Sequence, residues 1–214
     1  MADYPYLCRQ KTGTRMIKNI IFDFGAVLVD WNPHYVFDPY FGDRSRADWF
    51  LEHICNGEWN GQMDAGKPFD QGVAELSTRH PEWAAEIRLY RDRWTDMMGE
   101  GIPGMYDLVK ELKDKEFRLY GLSNWSAETF YRIEGDYPVF SLLDGKVISG
   151  DVHLIKPDIR IFRLLLEKFG LKPEECVFID DNAANVAASE AAGIRAIRFV
   201  DAAQLREALY RISV

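Results

Sequence analysis

Residues 17–30, IKNIIFDFGAVLVD, constrain the chain more than any other stretch. Ile17, Ile20, Ile21 and Phe22 are apolar without alternating with polar residues. A short run of this kind, bounded by turn-forming residues, predicts a strand buried on both faces of a parallel sheet. The run ends on Asp23, followed by Phe24 and Gly25. A carboxylate at the end of a buried strand is costly to desolvate, so it needs a metal, a cation or hydrogen bonds around it. Ligands of open α/β sheets bind just outside the carboxyl ends of the strands. Asp23 is therefore either a structural carboxylate satisfied by loop amides or the working group of a site.

From residue 101 onward, strand-like and helix-like segments alternate. Residues 104–115 form an amphipathic helix with Met105, Leu108, Val109 and Leu112 on one face. Strands are expected at 117–122, 146–149, 176–179 and 196–200, with helices at 126–134, 158–169 and 182–192. Gly170 and Gly193 act as stop signals, and Asp201 caps a last helix to Tyr210. The alternation predicts an α/β core built on a doubly wound parallel sheet. Residues 31–100 are different: they hold five of the six tryptophans and read as helices near 44–55, 69–79 and 81–98, with no strand. A helical block of this length between two strands reads as an inserted subdomain. The expected division is an N-terminal extension at 1–15, a core at 16–30 and 101–214, and an insertion at 31–100.

Four strand ends or loops carry polar groups. Asp23 follows the first strand, Ser123 and Asn124 the second, and Asp180 and Asp181 the CVFI strand, while Lys156 lies in a loop before a helix. In a parallel sheet all strand carboxyl ends share one edge, so these groups can converge. Clustered carboxylates need a cation, and oxygen ligands of this kind suit Mg²⁺. A carboxylate can attack phosphorus, while an ammonium, a hydroxyl and amides can hold phosphoryl oxygens. Singly, each piece also reads as a turn, a cap or a surface loop.

FDFGAVLVD, GLSN, IKP and FIDDN, in this order and spacing, resemble the four motifs of the haloacid dehalogenase-like (HAD) hydrolase superfamily. The resemblance implies a Rossmann-like core with an α-helical cap at residues 31–100. It implies Asp23 as nucleophile, Ser123 and Asn124 as phosphoryl ligands, and Lys156 as the cation that neutralises nucleophile and phosphate. It also implies that Asp181, with Asp180 beside it, holds Mg²⁺ together with Asp23 and the Gly25 carbonyl. Within the superfamily the chain looks most like the phosphatases that read FDxGxV, including sugar-1-phosphate phosphatases, and like the phosphatase domains of soluble epoxide hydrolases. The implied substrate is a small-molecule phosphate ester. The phosphatase pattern usually has a second Asp, as general acid/base, where Gly25 stands here. Without it, expected substitutes are Asp30, His34 or another group of the cap, and substrates with acidic leaving groups, such as sugar 1-phosphates, are expected to be preferred over 6-phosphates.

Two other readings use the same residues. A 2-haloacid dehalogenase would also use Asp23, but has no need of the paired acids Asp180 and Asp181. A binding module that kept the fold and lost catalysis would have no need of nucleophile, lysine and metal acids together. Trp125, Asp30 and His34 lie close to the site by chain connectivity, where packing between core and cap explains them equally well. The net charge of −8, with no extended basic cluster, argues against a nucleic-acid or anionic-membrane surface. No apolar run approaches the roughly 20 residues of a membrane span. Residues 1–15 lack a signal-peptide core, and Cys8, Cys55 and Cys176 show no metal-ligand spacing. These features fit a cytoplasmic protein with inert thiols.

Overall fold

In the computed structural model, which describes residues 16–212 and 214, the first apolar run becomes β1 (Asn19–Phe22), all four residues buried. The extension expected at residues 1–15, Cys8 included, lies outside the described residues. Next come β2 (Val29–Trp31) and five helices: α1 (His34–Phe41), α2 (Arg44–His53), α3 (Gly57–Asp64), α4 (Phe69–Arg79) and α5 (Ala84–Asp92). The chain returns through β3 (Met98–Gly101), α6 (Met105–Asp114), β4 (Arg118–Ser123), α7 (Ala127–Ile133), β5 (Gly145–Ile148) and α8 (Ser149–Val152). It closes with α9 (Ile159–Phe169), β6 (Cys176–Asp180), α10 (Ala183–Ala191), β7 (Arg195–Arg198) and α11 (Ala202–Arg211). None of the described helices is long and apolar enough to cross a membrane.

Five strands form a parallel sheet in the order β5-β4-β1-β6-β7. β1 sits in the middle, where the winding direction reverses, which is where doubly wound sheets open a ligand crevice. Its lack of alternation is explained by two cores. Ile20 and Phe22 enter an apolar cluster with α6, α11 and the helices of residues 34–92, while Ile21 enters a second cluster with Ile161, Phe162 and Leu165 of α9. Free Cys55 and Cys176 are both buried.

Residues 31–100 depart from the strand-free reading at both ends. β2 reaches Trp31, β3 covers Met98–Gly101, and the two pair antiparallel. The two crossings run side by side, so pairing satisfies backbone groups at a crowded junction. The single helix expected at 81–98 is also broken. A 3₁₀ turn at Pro81–Trp83 precedes α5, and a second at Trp94–Met97 follows it. Trp94 is drawn inward there, stacking on Trp31 at 6.4 Å and tilting against Trp125 at 5.6 Å.

The turn between α3 and α4 lies against the core. Ser149 donates its hydroxyl to the Asp64 carbonyl and accepts the Trp125 N–H at 2.8 Å. The His153 ring meets the Ala65 carbonyl at 3.1 Å, and Phe69 donates its N–H to Glu128 at 3.2 Å. Two carbonyls at the C-terminal end of α3 thus find partners on α8 and just past it, as orphan carbonyls at a helix end require.

Candidate active site

Asp23 stands one residue beyond the last ladder pair of β1, with its N–H donated to the Ile179 carbonyl of β6 at 2.9 Å. The next residue, Phe24, turns onto the sheet and is fully buried. Gly121 makes this possible: a Cβ there would lie 2.2 Å from the Phe24 ring. The Phe24 carbonyl then accepts the N–H groups of Val27, Leu28 and Val29, which closes the loop tightly behind Asp23. Phe24 also donates its own N–H to the Asp23 carboxylate at 2.7 Å.

Lys156 is the electrostatic centre of the site. Its ammonium, with the side chain 1% exposed, lies 2.8 Å from Asp23 and 2.7 Å from Asp180. Asp180 ends β6 and is wholly buried, but none of its charge is left unsupported. It accepts the Asn182 N–H at 2.8 Å and the Asn185 side-chain amide at 3.0 and 3.1 Å, from the start of α10. Asn124 fixes the lysine loop: its amide donates to the Lys156 carbonyl at 2.9 Å, and its oxygen accepts the Lys156 N–H at 2.7 Å. Most of the Asn124 side chain is thereby committed to holding Lys156. Ser123, buried at the end of β4, immediately precedes it.

Asp23, Asp180 and Asp181 each offer a carboxylate oxygen within 4.8 Å of the others. Three hard oxygen donors in this arrangement fit a divalent cation. Burial raises the Asp23 carboxyl to about 6, with Lys156 opposing and Asp180 adding to the rise. Asp181, which is exposed at the rim, is also raised, first by partial desolvation and then by the Asp180 charge. One lysine among three acids leaves the cluster short of positive charge, which is the condition a bound cation relieves.

Beside this cluster lies a cavity of about 90 Å³ lined by Gly25, Trp31, Asn60, Asp64, Trp94, Asn124 and Trp125. Trp125 is thus at the cavity, as its position in the chain suggests. Asp30 and His34, the named candidates for the missing acid, are absent from its lining. Asp30 takes the hydroxyl of Tyr35. His34 sits between Asp38 at 2.7 Å and Asp48 at 3.5 Å, within the α1–α2 pair. Both are engaged by local partners instead.

The residue that sequence reasoning missed is Asp64, the last residue of α3. Desolvation pushes its carboxyl up to about 7, against a lowering hydrogen bond from the Ser126 N–H and with a further rise from Asp23. The sequence offered no signal for it, because the helix it closes, α3, was not among those expected at 44–55, 69–79 and 81–98.

The pattern of the haloacid dehalogenase-like hydrolases matches residues 17–193. A drimenol cyclase of Aspergillus calidoustus is 27% identical over 187 residues, covering 86% of this chain, though the chain spans only 34% of that protein. D-ribitol-5-phosphate phosphatase of Bacteroides thetaiotaomicron is 24% identical over 206 residues, covering 91% of this chain and 97% of the relative. The fold superposes on a HAD-family enzyme of Bacteroides thetaiotaomicron, in complex with magnesium and inorganic phosphate, with a TM-score of 0.66. That likeness covers 88% of this chain and 98% of the other at 20% identity. With its motif residues gathered at the carboxyl edge of one parallel sheet and the family pattern spanning core and helical block alike, the chain belongs to the haloacid dehalogenase-like hydrolases.

Proposed function

We propose that this protein is a Mg²⁺-dependent phosphatase that hydrolyses small sugar or polyol phosphates, such as sugar 1-phosphates, through an aspartyl-phosphate on Asp23. The observation that carries the reading is the Asp23 carboxylate, held 2.8 Å from a buried lysine ammonium at the centre of the sheet edge and beside two further acids. Several named relatives support phosphomonoester chemistry, and a structural neighbour was solved with magnesium and phosphate.

Asp23, Asp181 and the Gly25 carbonyl would hold Mg²⁺, with Asp180 in support. When bound, the ion neutralises phosphoryl oxygens and the charge of the acid cluster. The Asp23 carboxylate attacks phosphorus, and the ester oxygen leaves on the cavity side. Lys156 keeps the nucleophile placed and offsets negative charge as it moves onto the phosphoryl oxygens. Ser123 holds those oxygens from the end of β4. Water then attacks the aspartyl-phosphate and regenerates Asp23.

The block at residues 31–100 acts as a cap over this chemistry, excluding water when closed. Trp31 and Trp125 both line the cavity, and their buried indole N–H groups have no partner among the described residues.

Phosphate release from a panel of sugar and polyol phosphates tests the reading, with and without chelator, alongside chloride release from 2-chloropropionate. Mg²⁺-dependent phosphate release that disappears in folded Asp23→Asn is expected, with no chloride release. Substantial turnover by that variant, or chloride release in chelator, would refute it.

A further inference from the structure

The reaction proposed above requires a proton for the departing oxygen, and Gly25 cannot donate one. We infer that Asp64, carried on α3 of the helical block, is the general acid and base of this site, reaching the substrate oxygen across the cavity from Gly25. The inference rests on the phosphatase reading.

Four observations carry it. Asp64 and Gly25 line the same cavity, so both face the space that a leaving group must occupy. The space at Gly25 is open: a Cβ there would meet nothing within 4 Å. The Asp64 carboxyl is held from two sides. Asn60 donates its amide to Oδ2 at 3.2 Å, and the Asn60 oxygen accepts the hydroxyl of buried Tyr90 at 3.2 Å. The Ser126 N–H, three residues beyond Ser123, donates to the same carboxyl. A core backbone group and a helix side chain thus aim the acid jointly, and the aim is completed only when helix and core are together. Finally, the helix itself is clamped through the backbone carbonyl of Asp64 to Ser149, so its position does not depend on the carboxyl.

The titratable and charged groups around Asp64 are few. Asp23 faces it from the loop after β1, Tyr90 from α5, and His153, just past α8, contacts the adjacent Ala65 carbonyl. Burial holds the carboxyl near 7, where both protonation states are accessible at neutral pH, the condition for acid–base work.

The proton balance closes over the cycle. In the first half, Asp23 bonds to phosphorus as the phosphorus–oxygen ester bond breaks. Protonated Asp64 gives its proton to the leaving oxygen, so an alcohol departs and Asp64 is left as carboxylate. In the second half, that carboxylate takes a proton from water as the water oxygen bonds to phosphorus. The acyl–phosphate bond breaks, phosphate leaves, and Asp23 carboxylate and protonated Asp64 are restored. A group that supplies this proton removes the reason to expect a strong preference for acidic leaving groups such as sugar 1-phosphates.

The test is the dependence of kcat/KM on leaving group in wild type, Asp64→Asn and Asp64→Asn/Gly25→Asp. The substrates are p-nitrophenyl phosphate, whose leaving group needs no proton, and a primary alkyl phosphate such as glycerol 3-phosphate. General acid assistance is typically worth about 10²–10⁴ in rate. Asp64→Asn is expected to lose on the order of a hundredfold or more on the alkyl ester but less than about tenfold on the aryl ester. Recovery of alkyl turnover in the double variant supports the assignment. A loss equal on both substrates, or no loss on the alkyl ester, overturns it. The phosphatase reading stands or falls separately, on whether wild type hydrolyses p-nitrophenyl phosphate and Asp23→Asn does not.

Discussion

Replacing Asp64 by Asn should make the protein more stable, and increasingly so as pH rises. The Asp64 carboxyl stands at about 7 in the folded protein, against an ordinary value of 3.8. Its folded form binds the proton more tightly than its unfolded form. Well below the ordinary value of 3.8 both states are protonated and the group contributes nothing. Between the two values the unfolded state loses its proton while the folded state keeps it, so stability falls as pH rises. Above about pH 7 both are ionised and the penalty levels off at roughly 4 kcal/mol, since one pKa unit corresponds to about 1.36 kcal/mol. Half-burial and water entry make that a ceiling. From pH 5 to pH 8 the change is roughly 2.5 kcal/mol by the same relation. Asn is isosteric, can still accept from Asn60 and Ser126, and leaves the Ser149–Asp64 backbone bond untouched. For a chain of this size, 1 kcal/mol moves Tm by about 2–4 °C. The Tm gap between Asp64→Asn and wild type should therefore widen by roughly 5–10 °C between pH 5 and pH 8. Thermal unfolding in chelator, followed by circular dichroism at four pH values, measures this, and other titrating groups largely cancel in the difference. A gap that stays flat across that range would show that Asp64 is not held neutral by its surroundings.

Three further outcomes follow from the geometry. Lys156→Ala leaves Asp23 and Asp180 without the ammonium between them, so turnover should vanish and stability should fall by about 3–5 kcal/mol, read by urea unfolding; a neutral effect on stability would mean the acids are paired elsewhere. Asp181→Ala lies on an exposed side chain, so stability should change by less than about 0.5 kcal/mol while the Mg²⁺ concentration for half-maximal activity rises at least tenfold; an unchanged Mg²⁺ requirement would exclude it as a ligand. Gly66→Ala puts a side chain at φ +98° with its Cβ 2.1 Å from the His153 ring, so it should destabilise by about 1–3 kcal/mol; unchanged hydrogen exchange at Ala65–Lys67 and unchanged Tm would refute that contact.

The sheet was readable because β1 has to be buried on both faces, and Ile20, Ile21 and Phe22 say so without ambiguity. The polar strand ends were readable for a related reason: Asp23 and Asp180 are too costly to desolvate unless they are used, and a parallel sheet puts them on one edge. What escaped was decided by tertiary contact. β3 is a four-residue strand, Met98–Gly101, containing two glycines, and only its partner β2 makes it a strand. Trp94 breaks a helical pattern because it packs between Trp31 and Trp125, residues far from it in sequence. Asp30 and His34 were close to Asp23 along the chain and were satisfied by Tyr35, Asp38 and Asp48 instead. Asp64 lies 41 positions beyond Asp23 in sequence. No local pattern links the two, because the link is the docking of α3 on α8.

That docking uses backbone atoms on the α3–α4 side: the carbonyls of Asp64 and Ala65 and the N–H of Phe69. Ser149, His153 and Glu128 therefore grip the turn without reading its side chains. Gly66 is the exception, since His153 occupies the space a Cβ would need. Elsewhere on this turn, mutation can change what the cavity presents to a substrate without loosening the hold on the helix. Selection on substrate range and selection on closure then act on different atoms. A lineage carrying this arrangement can exchange other side chains along α3 and its turn while the hold on the helix, and with it the placement of Asp64, is inherited intact.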